Sequence, residues 1–193
     1  MANIDAPHGL TPVFNLDMTP WSGGTWRCHI PATDSVAVYI GGLVALAGSA
    51  DADGVATVQG NISTGGAVFG VVTGVEPVTD ESLTYRAAST ARYVFVAPAA
   101  TTIFKVQDDS DAADLAATDV GSVGDLTGFT SGTAATGRSI IEIDESTVAT
   151  GGDGTEDVVI LGLWQAPDNS IGTNAEWIVK LNNIQLIDGF AGI

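Results

Sequence analysis

Cys28 and His29 are the one place where a nucleophile and an imidazole stand side by side. On a strand, adjacent side chains point to opposite faces, so this pair does not meet as a dyad. The plainer reading is a small buried thiol beside a polar histidine. His8 is the only other imidazole, and no Gly-x-Ser-x-Gly elbow is present to present a serine to it. The two histidines lack the spacing of a transition-metal site. Asp51-x-Asp53-Gly54 matches the first residues of a calcium loop, but Val55 takes the third ligand position and Ile62 the twelfth. A hairpin turn is expected there. Asp108, Asp109, Asp111 and Asp114 form one acidic cluster, and Asp153, Glu156 and Asp157 another. Hard cations favour such oxygens, while the ordinary reading is a solvated acidic face. No Walker loop and no Gly-x-Gly-x-x-Gly before a helix occurs, and no feature singles out a carboxylate pair for glycoside cleavage. No catalytic residue, metal or cofactor is therefore assigned, and an enzyme is not expected.

The bulk composition narrows the partners. Six basic residues against 23 acidic ones give a net charge of −17. Such a chain is repelled by phosphate, so neither nucleic acid nor an anionic membrane surface is an expected partner. A single cysteine excludes an intramolecular disulfide and a cysteine-only zinc site. The chain has 24 Gly and only 15% charged residues, which explains a positive mean hydropathy without a membrane span. No window of about 18 apolar residues occurs. The first residues lack the basic and apolar regions of a secretory signal, so synthesis in the cytoplasm without export by that route is expected.

The pattern along the chain predicts an all-β fold, a β-sandwich or β-barrel with long loops and an extended N-terminal arm. Residues 1–35 read as that arm: they hold four of the seven prolines, both histidines, Phe14, Trp21 and Trp26. Proline this dense opposes helix and central strand alike. The aromatics pack either on the chain's own core or on a neighbouring subunit. Removal of residues 1–24 is expected to leave the rest folded. Residues 36–193 read as a single β domain. Strands are expected over 36–40, 43–46, 55–58, 67–75, 82–85 and 92–97, with turn signals every 8–12 residues. The run 92–97 is apolar on both faces and is expected to be covered on both sides. Residues 99–137 read as a loop-rich insertion, with a strand at 102–106, a helical turn within 108–118 and a long loop over 121–137. Strands resume at 139–143, 158–164 and 176–187, the last with a one-residue phase shift at Asn182 and Asn183 that marks a bulge or turn. Trp164 and Trp177 read as core.

Several stretches resemble tailed-bacteriophage virion proteins. The opening Met1-Ala-Asn-Ile-Asp-Ala-Pro-His-Gly-Leu-Thr-Pro-Val13 is similar to the start of phage structural proteins. Gly42-Leu-Val-Ala-Leu46, Ser49-Ala-Asp-Ala-Asp-Gly54, Phe69-Gly-Val-Val-Thr-Gly-Val-Glu-Pro77 and Ala88-Ser-Thr-Ala-Arg-Tyr-Val-Phe-Val-Ala97 resemble the strands of capsid decoration, or cement, proteins. The resemblance covers about two thirds of the chain and leaves out residues 99–137. It implies a β-rich subunit, commonly a homotrimer, bound through the major capsid protein to the outer surface of an icosahedral head, which it stabilises. The contact residues it implies are Pro7, Leu10, Phe14, Trp21, Trp26 and Arg27, since aromatics and arginine anchor interfaces. A tail-tube or head-fibre subunit, or a glycan-binding β-sandwich, are the alternatives.

Overall fold

The computed structural model describes residues 3–186. Thirteen strands run in chain order: β1 Thr11–Asn15, β2 Trp26–Ile30, β3 Leu43–Ala50, β4 Ala56–Gln59, β5 Gly70–Val75, β6 Arg92–Pro98, β7 Thr102–Gln107, β8 Val123–Thr127, β9 Gly132–Thr133, β10 Arg138–Ser139, β11 Glu142–Ala149, β12 Val158–Leu163 and β13 Glu176–Leu181. Strands β2-β4-β3-β5-β6 close into a barrel. Strands β1-β7-β13-β12-β8-β11 form a six-stranded antiparallel sheet, and β9 pairs with β10. The all-β expectation holds, with barrel and sheet both present.

Short β-branched runs explain this arrangement. Val44, Val72, Val94 and Val96 join Cys28, Ile30, Val58 and Phe69 in one buried cluster, the barrel interior. Leu43, Ala45, Val71 and Ala97 come from the same strands but point the other way. They join Phe104, Val106, Ile160, Trp177 and Val179 of the sheet in a second cluster. Burial of each large apolar side chain contributes about 1.5–3 kcal/mol. Strands β3, β5 and β6 are thus covered on both faces for part of their length, although Tyr93 and Phe95 of β6 stay half-buried. Gly70 lets β5 approach β6 closely, because a Cβ there would run into the Ala97 carbonyl.

The barrel seam is thin. β2 pairs with β6 over five residues but meets β4, in parallel, only at His29 and Thr57. Arg86, fully buried, ties down the loop that follows β2. Its guanidinium donates to the carbonyls of Pro31 and Asp34 at 2.7 Å, Val36 at 2.5 Å and Thr90 at 2.7 Å. Satisfying most of a buried guanidinium's donors in this way removes most of the cost of burying it.

The expected N-terminal arm is corrected. β1 is the edge strand of the sheet, paired with β7 from Thr11 to Asn15, and β2 is a barrel stave. Prolines fit because they sit at an edge or between strands, where no ladder donor is needed. Pro12 stands next to the β1 register shift. The segment before β1 meets the segment before β3 at Gly9 and Gly41, both with positive φ, where Leu10 N donates to Gly41 O at 3.0 Å. A Cβ on either would strike the other strand's backbone.

Residues 99–137 are also corrected. They are no insertion: β7 and β8 lie within the six-stranded sheet. Small residues and an acidic Asp125 mask β8, whose buried positions are Gly124 and Leu126. The one helical turn among the described residues is Ala117–Asp119, a single 3-10 turn. Residues 36–40 and 82–85 form no strands; isolated bridges join Val38 to Arg86 and Ile40 to Arg138. At the C-terminal end β13 stops before the phase shift. Val68 N then donates to Asn183 O at 2.9 Å and Gln185 N donates to Val68 O at 2.8 Å, tying the chain back to the barrel. Ile187, the end of the expected last strand, lies outside the described residues.

Two predictions test this architecture. Deletion of residues 1–24 removes β1 from the sheet and Leu10 and Trp21 from the larger core. It is expected to cost more than about 4 kcal/mol, read as loss of the cooperative circular-dichroism melt. Second, Lys180 Nζ donates to the Ala99 and Leu181 carbonyls, and burial pushes its ammonium down to about 8. A folded value below the unfolded one favours the neutral amine, so this stability is present at high pH and lost as pH falls through 8. Between pH 8 and 10 the wild type is expected to gain about 1 kcal/mol relative to Lys180→Met, measured by urea unfolding.

Candidate assembly surface

Six residues were expected to make contacts, and the structure divides them. Leu10 is corrected: it is 1% exposed and belongs to the larger core. Pro7, Phe14 and Trp21 are half-buried. Phe14 lies 6.1 Å from Trp164, centroid to centroid, and Trp21 packs against the larger core. Trp26 and Arg27 are exposed. Trp26 is 51% exposed and sets one edge on Phe69 at 5.3 Å. Arg27 makes a bidentate pair with Glu76 at 2.6 and 3.0 Å and stacks 3.5 Å over the Tyr93 ring. The Glu76 carboxylate hydrogen-bonds Arg27 and is thereby held below its usual range.

Two further exposed apolar side chains of the N-terminal segment were not singled out from sequence. Leu16 and Met18 are 57% and 55% exposed, on the turn that leaves β1. The turn is tightly built. Asn15 N donates to Thr19 O at 2.8 Å, Met18 N to Asn15 O at 2.9 Å and Leu16 N to Thr101 O at 2.8 Å. Asp17 Oδ1 accepts from Thr19 N at 3.0 Å and Thr19 Oγ1 at 2.6 Å. Met18 sits at φ 63°, a conformation that side-chain-bearing residues rarely adopt. The available sequence signal was the Asn15-x-Asp17-x-Thr19 spacing, which favours a local side-chain-capped turn. The turn therefore holds two apolar side chains in solvent. Among the described residues, four of the ten exposed large apolar side chains, Ile4, Leu16, Met18 and Trp26, fall within the first 26 positions.

Two clefts flank the segment. One of about 450 Å³ lies between it and the barrel, lined by Leu10, Pro12, Trp21, Val72 and Phe95. The other, about 410 Å³, is lined by Asn3, His8, Lys105, Trp164, Asp168 and Glu176. Trp164 is thus corrected: only Trp177 is core, and Trp164 is half-buried beside a polar cleft. Three of the cleft's ionisable groups pair with one another. Lys105 Nζ donates to both Glu176 oxygens at 2.7 Å, and His8 Nε2 lies 3.2 Å from Glu176. Burial holds the His8 imidazole below its ordinary value, against the Ala6 carbonyl and Glu176, which act to raise it.

The residues first considered for chemistry sit as follows. Cys28 is fully buried in the barrel, and burial pushes its thiol up to about 11. His29 lies against Tyr93, with ring centroids 5.3 Å apart and the planes tilted by 51°. Asp51 closes the β3–β4 hairpin, accepting from Asp53 N and Val55 N at 2.9 Å and from Tyr93 Oη at 2.6 Å. The hairpin-turn expectation holds. The solvated-face expectation fails at two positions. Asp157 is buried and accepts from Gly65 N and Leu126 N at 2.9 Å, and Asp108 is buried and accepts from Trp177 Nε1 at 3.2 Å. Both carboxylates tie loops to strands, and burial raises both above the usual carboxylate range.

Comparison of the chain with protein-family models, curated proteins and solved structures gives no match.

If the turn is built by its own backbone and Asp17, its apolar tips are dispensable for folding. The double variant Leu16→Ser/Met18→Ser is expected to change stability by less than about 0.5 kcal/mol, measured by urea unfolding.

Proposed function

We propose that this chain is a structural virion subunit, a capsid decoration protein. In this reading it binds the outer surface of a phage head as a homotrimer and stabilises the shell. Its partners are copies of itself and the major capsid protein, with no nucleic acid and no membrane. The observation that carries the reading is the exposed apolar set Leu16, Met18 and Trp26, held on hydrogen-bonded backbone in a chain of net charge −17. A rigid element that displays leucine, methionine and tryptophan loses little entropy when a partner covers them. Single exposed apolar residues are ordinary, but three within eleven positions of one ordered segment suit an interface. The resemblance of the opening residues and of the barrel strands to phage decoration proteins supports the same reading. The acidic surface would steer the subunit toward a less acidic shell.

Trp164 favours one second reading. An aromatic ring beside Asn3, Asp168 and Asn169 is the chemistry of a glycan cleft. A glycan array with no hits removes it.

Sedimentation of the pure protein, or of protein eluted from shells, is expected to give about three times 19.6 kDa. Trp26→Ala is expected to bind undecorated heads about 30-fold more weakly, the size of a typical interface anchor. A protein that stays monomeric at high concentration and ignores undecorated heads overturns the proposal.

A further inference from the structure

The outer edge of the six-stranded sheet holds a carboxylate whose hydrogen-bonding is incomplete. β11 is the last strand there, and the chain that leaves β7 folds across it. Asp108 bridges Ile143, and Asp109 N donates to Ile143 O at 3.0 Å. Glu145 lies beneath this crossing and is only 7% exposed. Its Oε1 accepts from Ala112 N at 3.1 Å and Ala113 N at 2.8 Å. Its Oε2 is sealed from solvent and has no donor among the described residues. A buried carboxylate oxygen without a donor is costly and calls for an ion, a water or a proton.

The surroundings say which. One carboxylate oxygen from each of Asp109, Asp144 and Glu145 lies within 4.8 Å of the others. Two ligands on opposite sides of a calcium ion are about 4.8 Å apart, since each bond is about 2.4 Å. The charges that act on Asp109 are those of Glu145 and Asp111, and those on neighbouring Glu142 come from Asp5, Asp108 and Asp109. These are all acidic. Asp109 and Asp144 are half-buried, which leaves the cluster open to solvent on one side. The donors are all oxygen, with no histidine or cysteine among them, which disfavours a transition metal. The irregular mix of a loop and a strand suits the flexible shell of calcium better than the strict octahedron of magnesium.

We propose that Asp109, Asp144 and Glu145 form a calcium site that clamps the chain following β7 onto the edge strand β11. Waters complete the shell on the open side. Bound calcium would neutralise part of a strongly acidic edge and fix the segment that carries Asp108, Asp109 and the buried Leu115. The site stands apart from the proposed assembly surface and does not depend on it.

The competing account is a proton shared between Asp109 and Glu145. Thermal melts in EDTA, in 10 mM Ca²⁺ and in 10 mM Mg²⁺ at pH 7.5 separate the two. With a Kd on the order of 10⁻⁴ M, calcium is expected to raise Tm by about 5–10 °C, and magnesium by much less. Asp144→Asn, on the open side, and Glu145→Gln are each expected to abolish most of that shift. Terbium alone is expected to give emission sensitised by Trp177, whose indole donates to Asp108, and calcium to quench it. No calcium shift and no sensitised terbium emission, with stabilisation only on lowering the pH from 8 to 6, means a shared proton and overturns the site. So does a shift of equal size with magnesium, or one retained in both variants, since that is screening of the net charge.

Discussion

The double burial of β3, β5 and β6 is the constraint on which the structure depends. Each strand sends valines into the barrel and leucine, valine or alanine outward onto the sheet. The two cores therefore cannot form separately: the strands that close the barrel also supply one face of the larger core. Side-chain size follows from this. Ala45 and Ala97 join the larger core from barrel strands, and Gly70 of β5 lies against the Ala97 carbonyl of β6, so larger residues at these positions would push neighbours apart. The abundance of alanine and glycine is in this sense a packing requirement as well as a feature of the turns.

The same constraint places the N-terminal segment. Strand β1 extends the sheet, residues 16–25 carry the chain over to the barrel, and β2 helps close it, while Gly9 and Gly41 hold the segments before β1 and β3 together. Because both ends of the 15–25 stretch are anchored in different layers, the turn between them is held firm. Leu16, Met18 and Trp26 are presented on that frame and not on a loose arm. A preorganised apolar display fits a protein whose work is assembly, and this links the fold to the proposed role on a shell.

Much of the barrel was legible in the sequence, because its strands carry β-branched alternation bounded by glycine turns. Residues 43–46, 55–58 and 92–97 fell where β3, β4 and β6 lie. Asp51-x-Asp53-Gly54 marked the turn between the first two. The segments that were misread share a physical cause. β1 and β2 contain or adjoin prolines and charged residues, because one is an edge strand and the other exposes Trp26 and Arg27. β8 reads as loop because glycine and aspartate occupy it, and its place is fixed by pairing with β11 and β12. Of the contact residues named from sequence, Trp26 and Arg27 lie on the surface and Leu10 in the core; aromatic or apolar type alone does not reveal which way a side chain points. Burial of Asp108 and Asp157 was equally hidden, since an acidic loop looks solvated until its partners across the sheet are known.

The central claim is that the turn displaying Leu16 and Met18 is covered when subunits assemble on a shell. Hydroxyl-radical footprinting of Met18, compared between dilute free subunit and decorated particles, tests this most directly. The account predicts rapid oxidation of Met18 in the free subunit, where it is 55% exposed, and strong protection on the particle. Equal oxidation in both states would contradict it.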